Sequence, residues 1–272
     1  MTALRVQQFA ISECEDRIEQ NYYDWGRERD AKTWLSPDWD NASPDERQRI
    51  AQRGYGLYDG CPTSPGNRLS STDLWVSVGF RSRVVEFDAV RFLARADVAE
   101  PLLASIPDGT TLDCATDEQI VAAAELIRLF AGAPQIGLGK ATKVLHKKRP
   151  DFMPVLDSVV SDFLWKNFPH TLNQGSPLED TLALYRTIFI MYHSLVEDVR
   201  NGVARRGFAL TNLRVMDWIL WLGWRQPFDP QDVEYGFGKS LRVVWEVSSV
   251  GEARSKARDM WEKTVGALPM RR

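Results

Sequence analysis

The chain has 272 residues, of which 44% are hydrophobic and 26% charged, and its formal net charge is -3. This length and composition are enough to bury a full core and predict two lobes. The acidic balance argues against indiscriminate binding of nucleic acids. No stretch of about eighteen apolar residues occurs, and the N-terminus lacks the apolar run of a signal peptide. The sequence therefore predicts a cytoplasmic protein with no membrane partner.

The three cysteines, Cys14, Cys61 and Cys114, are widely spaced. Such spacing forms neither a disulfide framework nor a zinc motif, and it cannot supply the four-cysteine loop of an iron–sulfur cluster. No cofactor is predicted from these residues.

Two early segments are predicted to be loops. Residues 35–45 are rich in Pro, Asp, Asn and Ser, and residues 54–72 combine Gly, Pro and Ser with Tyr55, Tyr58 and Asp59. A structureless stretch of this length is typical of either a functional loop or a disordered one. The sequence leaves both alternatives open.

From Val84 onward the apolar spacing is mostly helical. One helix is predicted between Val84 and Ile106, and Asp108-Gly109 ends it. Thr116 with Gln119 is a capping-box signature that begins the next helix, which Gly132 and Pro134 end. Ser176-Pro177-Leu178-Glu179 begins a long helix that continues to about Val203.

The last third of the chain changes character. Arg214 to Trp224 is apolar nearly all round, which predicts a buried helix. After Arg225 we expect a proline-containing turn, a short strand over residues 241–247 and an amphipathic helix over about 251–265. The predicted organisation is an N-terminal helical lobe, residues 1–112, completed by residues 226–272, and a second lobe over residues 113–225.

One segment carries a recognisable chemistry. Gly137-Leu138-Gly139 follows an amphipathic helix, and glycines there let the backbone approach a ligand closely. A cationic helix stands behind this turn and favours a phosphate as that ligand. Eighteen positions past Gly139, Asp157 follows the apolar Pro154-Val155-Leu156 at a predicted helix start. The cationic helix carries a local positive stripe of five cations within ten residues: Lys140, Lys143, Lys147, Lys148 and Arg149, with His146 among them.

Each feature also has a simpler structural interpretation. The glycine pair is compatible with a tight helix–helix turn, Asp157 with a helix N-cap, and Lys147-Lys148-Arg149 with a solvated helix end. A nucleotide P-loop is excluded, because Pro134 stands where its first glycine is needed and Ala141 follows Lys140. The order and spacing of the features together favour a DNA-binding unit.

Together these residues resemble the helix-hairpin-helix DNA glycosylase superfamily. Its hairpin reads roughly Leu-Pro-Gly-Val-Gly-Arg-x-Thr-Ala, and a Pro-x-x-Asp segment about twenty residues later carries the catalytic aspartate. Residues 135–142 match the hairpin, and residues 154–157 match the second segment. Asp157 comes about two residues early, and Ala141 stands where bifunctional members carry a Schiff-base lysine. Residues from about Asn67 to Trp224 also resemble an uncharacterised bacterial family of unknown function.

The resemblance implies a bilobal, mostly helical fold with little or no β structure. It also implies a monomeric, monofunctional DNA glycosylase. Such an enzyme flips a damaged or modified base out of double-stranded DNA and removes it by hydrolysis of the glycosidic bond. Its role would be DNA repair or attack on modified phage DNA. Asp157 would be the catalytic carboxylate. The DNA-binding residues would be Gly137, Leu138, Gly139, Lys140, Thr142 and Lys143.

Two further elements of this hypothesis concern the ligands of the site. Turn carbonyls near residues 136–139 would hold a monovalent cation that bridges to a phosphate. A base pocket is predicted from the aromatic residues Tyr22, Tyr23, Trp25, Tyr55 and Tyr58. Two other classes of protein remain open: a non-catalytic DNA-binding module, and a helical protein whose apparent motif is accidental.

Overall fold

Helices dominate the computed structural model, which describes residues 11–12, 14–22, 43, 45, 55–77, 84, 86–168 and 175–225. No strand occurs within these ranges. The predicted mostly α fold is therefore confirmed for them. The strand and helix predicted beyond Arg225 lie outside the described residues, as does the predicted loop at residues 35–45 apart from Ser43 and Asp45.

The N-terminal segment 14–22 is helical, and the helices that follow are labelled here in chain order. They are α1 (Tyr55–Gly60), α2 (Ser71–Val76), α3 (Glu86–Leu93), α4 (Ala96–Ala104), α5 (Asp117–Ala131), α6 (Gly137–Lys148), α7 (Ser158–Asn167), α8 (Leu178–Met191), α9 (His193–Arg205) and α10 (Asn212–Arg225).

Local sequence signals set the ends of α5. The Thr116 hydroxyl accepts from the Gln119 amide at 3.3 Å, and the Gln119 side chain accepts from the Thr116 amide at 3.0 Å, which is the predicted capping box. Gly132 is the C-cap of the helix. The buried character predicted for α10 is also confirmed, because residues 213–220 are all buried.

Two helices that the sequence predicted as continuous are each divided. The first breaks between α3 and α4, where the Arg95 guanidinium donates to the Arg91 carbonyl at 2.7 Å and so satisfies an acceptor at the end of α3. The second breaks at Tyr192, between α8 and α9, where the side chain is buried in the core. Neither position carries Gly or Pro, so the apolar spacing alone gave no sign of a break.

The predicted loop over residues 54–72 is only partly a loop. Its first residues form α1, and its last residues begin α2. Tyr58, which is 0% exposed, accounts for the helical turn because it packs into the core. Lys148 holds the remaining stretch by donating to the Ser64 carbonyl at 2.5 Å.

Buried side chains from all of these helices form one cluster. Within it α5 packs against α6, and α10 packs against both α7 and α9. The cluster includes residues on both sides of the predicted lobe boundary, such as Phe92 and Phe130, whose rings stack at 4.2 Å. The division into two lobes stays a prediction.

A single glycine lets the N-terminal segment dock on α9. A Cβ added at Gly202 would lie 1.7 Å from Oε1 of Glu15. In its present position the Glu15 carboxylate accepts from the Arg206 guanidinium at 3.1 Å. Only a residue without a side chain leaves room for this ion pair.

We therefore expect Gly202→Ala to lower the free energy of unfolding by about 1 kcal/mol, because Glu15 must move away from Arg206 while the higher helix propensity of alanine offsets part of the loss. Urea unfolding measures this change. Gly60→Ala is the control, since a Cβ there would meet nothing within 4 Å. Equal stability of the two variants would show that the close contact at Gly202 is absent.

Candidate functional site

The turn between α5 and α6 has an unusual backbone. Gln135 has φ 69° and Gly137 has φ 64°, so both are left-handed, while Ile136 between them is right-handed. Gly139 is already inside α6. The position of the turn predicted from the sequence, Gly137-Leu138-Gly139, is therefore wrong by two residues. The first left-handed position is occupied by a glutamine, which does not mark a turn as a glycine does.

Gly139 brings α6 close to Asp157. A Cβ added at Gly139 would lie 3.5 Å from both Cα and Cβ of Asp157. Even a methyl group at Gly139 would make only ordinary van der Waals contact with Asp157, so the first turn of α6 and the Asp157 backbone are close neighbours. The two parts of the motif, which are separated in sequence, are neighbours in space.

Asp157 is the N-cap of α7. Its Oδ1 accepts from the amides of Val159 at 3.0 Å and Val160 at 3.1 Å, so the N-cap interpretation is confirmed. Both bonds use the same oxygen, and Oδ2 takes no part in the cap. The side chain is half-buried.

The extended segment that leads to Asp157 is held by two helices. The Leu156 amide donates to the Thr142 hydroxyl on α6 at 3.1 Å, and that hydroxyl donates to the Leu138 carbonyl at 3.0 Å. The Val155 amide donates to the Asp217 carboxylate on α10 at 3.2 Å. Thr142 is 0% exposed, which places it as a support for Asp157 and not at a DNA-facing surface.

Asp217 is the centre of a buried polar cluster. Its carboxylate also accepts from the Tyr185 hydroxyl at 2.6 Å, and Nδ1 of His146 lies 3.9 Å from it. His146 Nδ1 donates to the Met153 carbonyl at 2.6 Å. Sequence reasoning missed Asp217. The signal was present, because it is the one carboxylate in α10, a mostly apolar helix whose other polar residues are Asn212, Arg214 and Arg225.

Burial shifts the pKa values of Asp217 and His146 in this cluster in opposite directions. It raises the pKa of Asp217 from 3.8 to about 7, an effect that Arg214 and the Tyr185 hydrogen bond oppose. It lowers the pKa of His146 from 6.5 to about 4, and Arg214 adds to that shift. The neutral imidazole is therefore the form that donates to Met153.

The predicted positive stripe turns inward. Lys140 pairs with the buried Asp88 at 2.7 Å, and Lys143 is 9% exposed. Lys148 lies 3.5 Å from the buried Asp73. Arg149 is also buried, so the solvated helix end proposed as the simpler interpretation is wrong. Acidic residues and carbonyls of the preceding helices attract these cations, which the sequence of α6 alone does not reveal.

Arg91 on α3 is a half-exposed cation at the turn that sequence reasoning did not identify. Its Nη1 donates to the Pro134 carbonyl and to Oε1 of Gln135, both at 3.0 Å. α3 therefore holds the turn in place and brings a guanidinium beside it. No pattern in the sequence links Arg91 to a turn more than forty residues later.

Of the aromatic residues proposed for a base pocket, the two whose side chains the structure describes, Tyr22 and Tyr58, do not lie at an open surface. Tyr22 is 1% exposed and Tyr58 is 0% exposed, so neither can stack on a base. The Tyr22 hydroxyl donates to Asp59, and the Tyr58 hydroxyl donates to the Lys143 carbonyl at 2.6 Å. Their physical role is to dock early segments on α6 and α10. The other members, Tyr23, Trp25 and the Tyr55 side chain, lie outside the described residues.

A cavity of about 310 Å³ lies at the opposite end of α6 from the turn. Lys147, Lys148 and Arg149 line it together with Asp108 and Asp151. Arg149 pairs with Asp108 at 2.7 Å, so part of the positive charge is already neutralised.

Among the described helices none has the length and apolar character needed to cross a membrane.

Comparison with known families places the chain in one of them. A family of unknown function (DUF6308) matches residues 34–223, and the chain belongs to this family. The match includes the turn, Asp157 and Asp217. The searches of curated proteins and of solved structures found no match. The likeness to helix-hairpin-helix glycosylases therefore depends on the motif residues alone.

The buried cluster predicts an unusual pH dependence of stability. Unfolded Asp217 ionises above about pH 3.8, whereas the folded group stays protonated to about pH 7, so its contribution to stability falls as pH rises through this window. Folded His146 loses its proton at about pH 4 and the unfolded group at 6.5, so its contribution rises between these values. The two slopes offset each other in the parent protein.

In Asp217→Asn, only His146 of this pair still makes the free energy of unfolding depend on pH. We expect the free energy of unfolding of this variant to rise by about 3 kcal/mol between pH 4 and 6.5 relative to the parent. Urea unfolding at a series of pH values measures the profile, and Asp162→Asn on α7 is the control. Superimposable profiles for Asp217→Asn and the parent would contradict the assignment of the two pKa values.

Proposed function

We propose that this protein is a monofunctional DNA glycosylase that binds double-stranded DNA at the α5–α6 turn and uses Asp157 to release a damaged or modified base. The observation that carries this proposal is the proximity of Gly139 to Asp157, since a Cβ added at Gly139 would lie 3.5 Å from Cα of Asp157. It makes the candidate phosphate-binding turn and a half-buried aspartate neighbours in space. The biological role is repair of the cell's DNA or attack on modified phage DNA.

The corrected position of the turn supports the resemblance. With Gln135 and Gly137 as the left-handed residues, Ala133-Pro134-Gln135-Ile136-Gly137 stands where the superfamily reads Leu-Pro-Gly-Val-Gly. Asp157 then follows Gly137 by 20 positions, which is the spacing of the superfamily, whereas counted from Gly139 it came two residues early. The Schiff-base lysine position moves to Gly139. Gly139 also carries no amine, so we still expect hydrolysis of the base without strand cleavage.

The turn offers suitable donors for a phosphate. α6 begins at Gly137 with no side-chain cap and no acidic residue in its first turn. The first amides of a helix have no partners inside the helix, and the helix dipole favours an anion there. Arg91, which contacts Pro134 and Gln135 just before the helix, supplies the side-chain charge. Such contacts would offset the few kcal/mol needed to turn a base out of the stack.

The proposed reaction is the hydrolysis of one glycosidic bond with the help of Asp157. The bond between the sugar C1′ and the base nitrogen breaks, and its electron pair leaves with the base. Positive charge develops on the sugar, and an ionised Asp157 stabilises it. Water then adds its hydroxide to C1′ with Asp157 as the proton acceptor, and the base takes up one proton. The products are an abasic site and the free base.

A second candidate is a DNA-binding protein without catalysis. The observation that favours it is the capping role of Asp157, whose Oδ1 already accepts from Val159 and Val160. In that case Asp157 serves only α7. Binding at the turn would then be indifferent to loss of the carboxylate charge.

Asp157→Asn separates the two candidates. It keeps the shape and much of the cap but removes the negative charge, so we expect base release to fall by about a hundredfold or more while DNA affinity stays similar. The assay incubates genomic and phage DNAs of different modification with the protein and identifies released bases by mass spectrometry. Asp162→Asn is the matched control on the same helix. Near-parental release by folded Asp157→Asn would falsify the catalytic role.

Arg91→Gln tests the DNA-binding surface. Loss of one phosphate contact should reduce the salt slope of binding by about one and weaken affinity on every sequence. Fluorescence anisotropy at several salt concentrations measures both quantities. Arg205→Gln is the control, because the Arg205 side chain is 73% exposed on α9. Equal slopes for Arg91→Gln and the parent would remove Arg91 from the interface.

A further inference from the structure

The ammonium group of Lys140 lies on the turn itself. Its Nζ donates to the Gln135 carbonyl at 3.0 Å and to Oδ2 of Asp88 at 2.7 Å. The Lys140 side chain is 19% exposed, whereas the Asp88 side chain is 0% exposed. A lysine of α6 thus folds back over the backbone that precedes its helix, and a buried carboxylate on α3 balances its charge.

This arrangement disagrees with one expectation from the resemblance. Turn carbonyls were expected to hold a monovalent cation that bridges to a phosphate. Here one carbonyl of the turn already accepts from a monovalent cation that is part of the chain, and the neighbouring carboxylate is paired with the same group. A metal ion placed beside them would meet the like charge of the Lys140 ammonium at close range.

We propose that Lys140 is the resident cation of the turn, so that the turn keeps its shape and binds DNA without a monovalent metal ion. The binding part of this inference rests on the function proposed above. Lys140 is then a positioning residue that acts through the turn. The groups left to meet a phosphate are the first amides of α6 and the guanidinium of Arg91.

The test compares cations at one ionic strength. DNA affinity and melting temperature are measured in the chlorides of K⁺, Na⁺, Li⁺ and tetramethylammonium, the last of which is too large to enter a carbonyl site. For the parent protein we expect affinities within about twofold of one another, because the counterion-release term is held constant. Melting temperatures should agree within about 2 °C.

The variant Lys140→Met is the second part of the test, because it keeps an apolar side chain of similar length and removes the ammonium group. We expect this variant to bind DNA about tenfold more weakly in tetramethylammonium and to recover part of the loss in K⁺, which can then occupy the site between Gln135 and Asp88. Lys166→Met, at an exposed position on α7, should behave as the parent does. If Lys140→Met does not fold, Lys140→Met/Asp88→Asn removes both charges together, and it should show no K⁺ dependence.

The outcomes separate this inference from the proposed function. A parent protein that binds DNA or melts differently in K⁺ and in tetramethylammonium overturns the resident-cation assignment. Equal K⁺ dependence of Lys140→Met and Lys166→Met overturns it as well. A parent protein that binds no DNA in any of the salts removes the proposed function instead. The melting series then still decides whether the turn needs a metal ion.

Discussion

The backbone amides of Val155 and Leu156 donate to side chains from two different helices, and this pair of hydrogen bonds determines where Asp157 stands. Thr142 on α6 and Asp217 on α10 are the acceptors, and both are buried. Buried amides without partners are costly, so removing either acceptor would release the segment that α7 follows. With both in place, Asp157 caps α7 and at the same time packs against Gly139. The geometry of the proposed site is thus a consequence of the core that supports it.

The charges around the turn follow from the same principle. Cations that are buried or partly buried need partners. Lys140 pairs with Asp88, Lys148 with Asp73 and Arg149 with Asp108. Little of the positive charge of α6 is left for solvent. Binding at the turn would therefore depend on oriented amides and on Arg91, and it would be weak towards polyanions in general.

Sequence patterns predicted the features that local rules control. The capping box at Thr116, the buried α10 and the N-cap at Asp157 needed only spacing and residue type. The position of the turn was missed because Gln135 adopts a conformation that usually marks a glycine. The inward direction of Lys140 and the role of Asp217 depend on partners from distant segments, which one helix sequence cannot reveal. The buried state of Tyr22 and Tyr58 has the same origin, since aromatic clusters serve cores and pockets alike.

The proposed function requires the turn to place DNA so that Asp157 faces a sugar in which positive charge develops. The most direct measurement compares affinities for two duplexes, one with a cationic pyrrolidine in place of a nucleoside sugar and one with a neutral tetrahydrofuran at the same position, because neither requires knowledge of the base. The account predicts that the parent protein prefers the cationic duplex by about tenfold or more and that Asp157→Asn loses this preference. Equal affinity of the parent for both duplexes would contradict it.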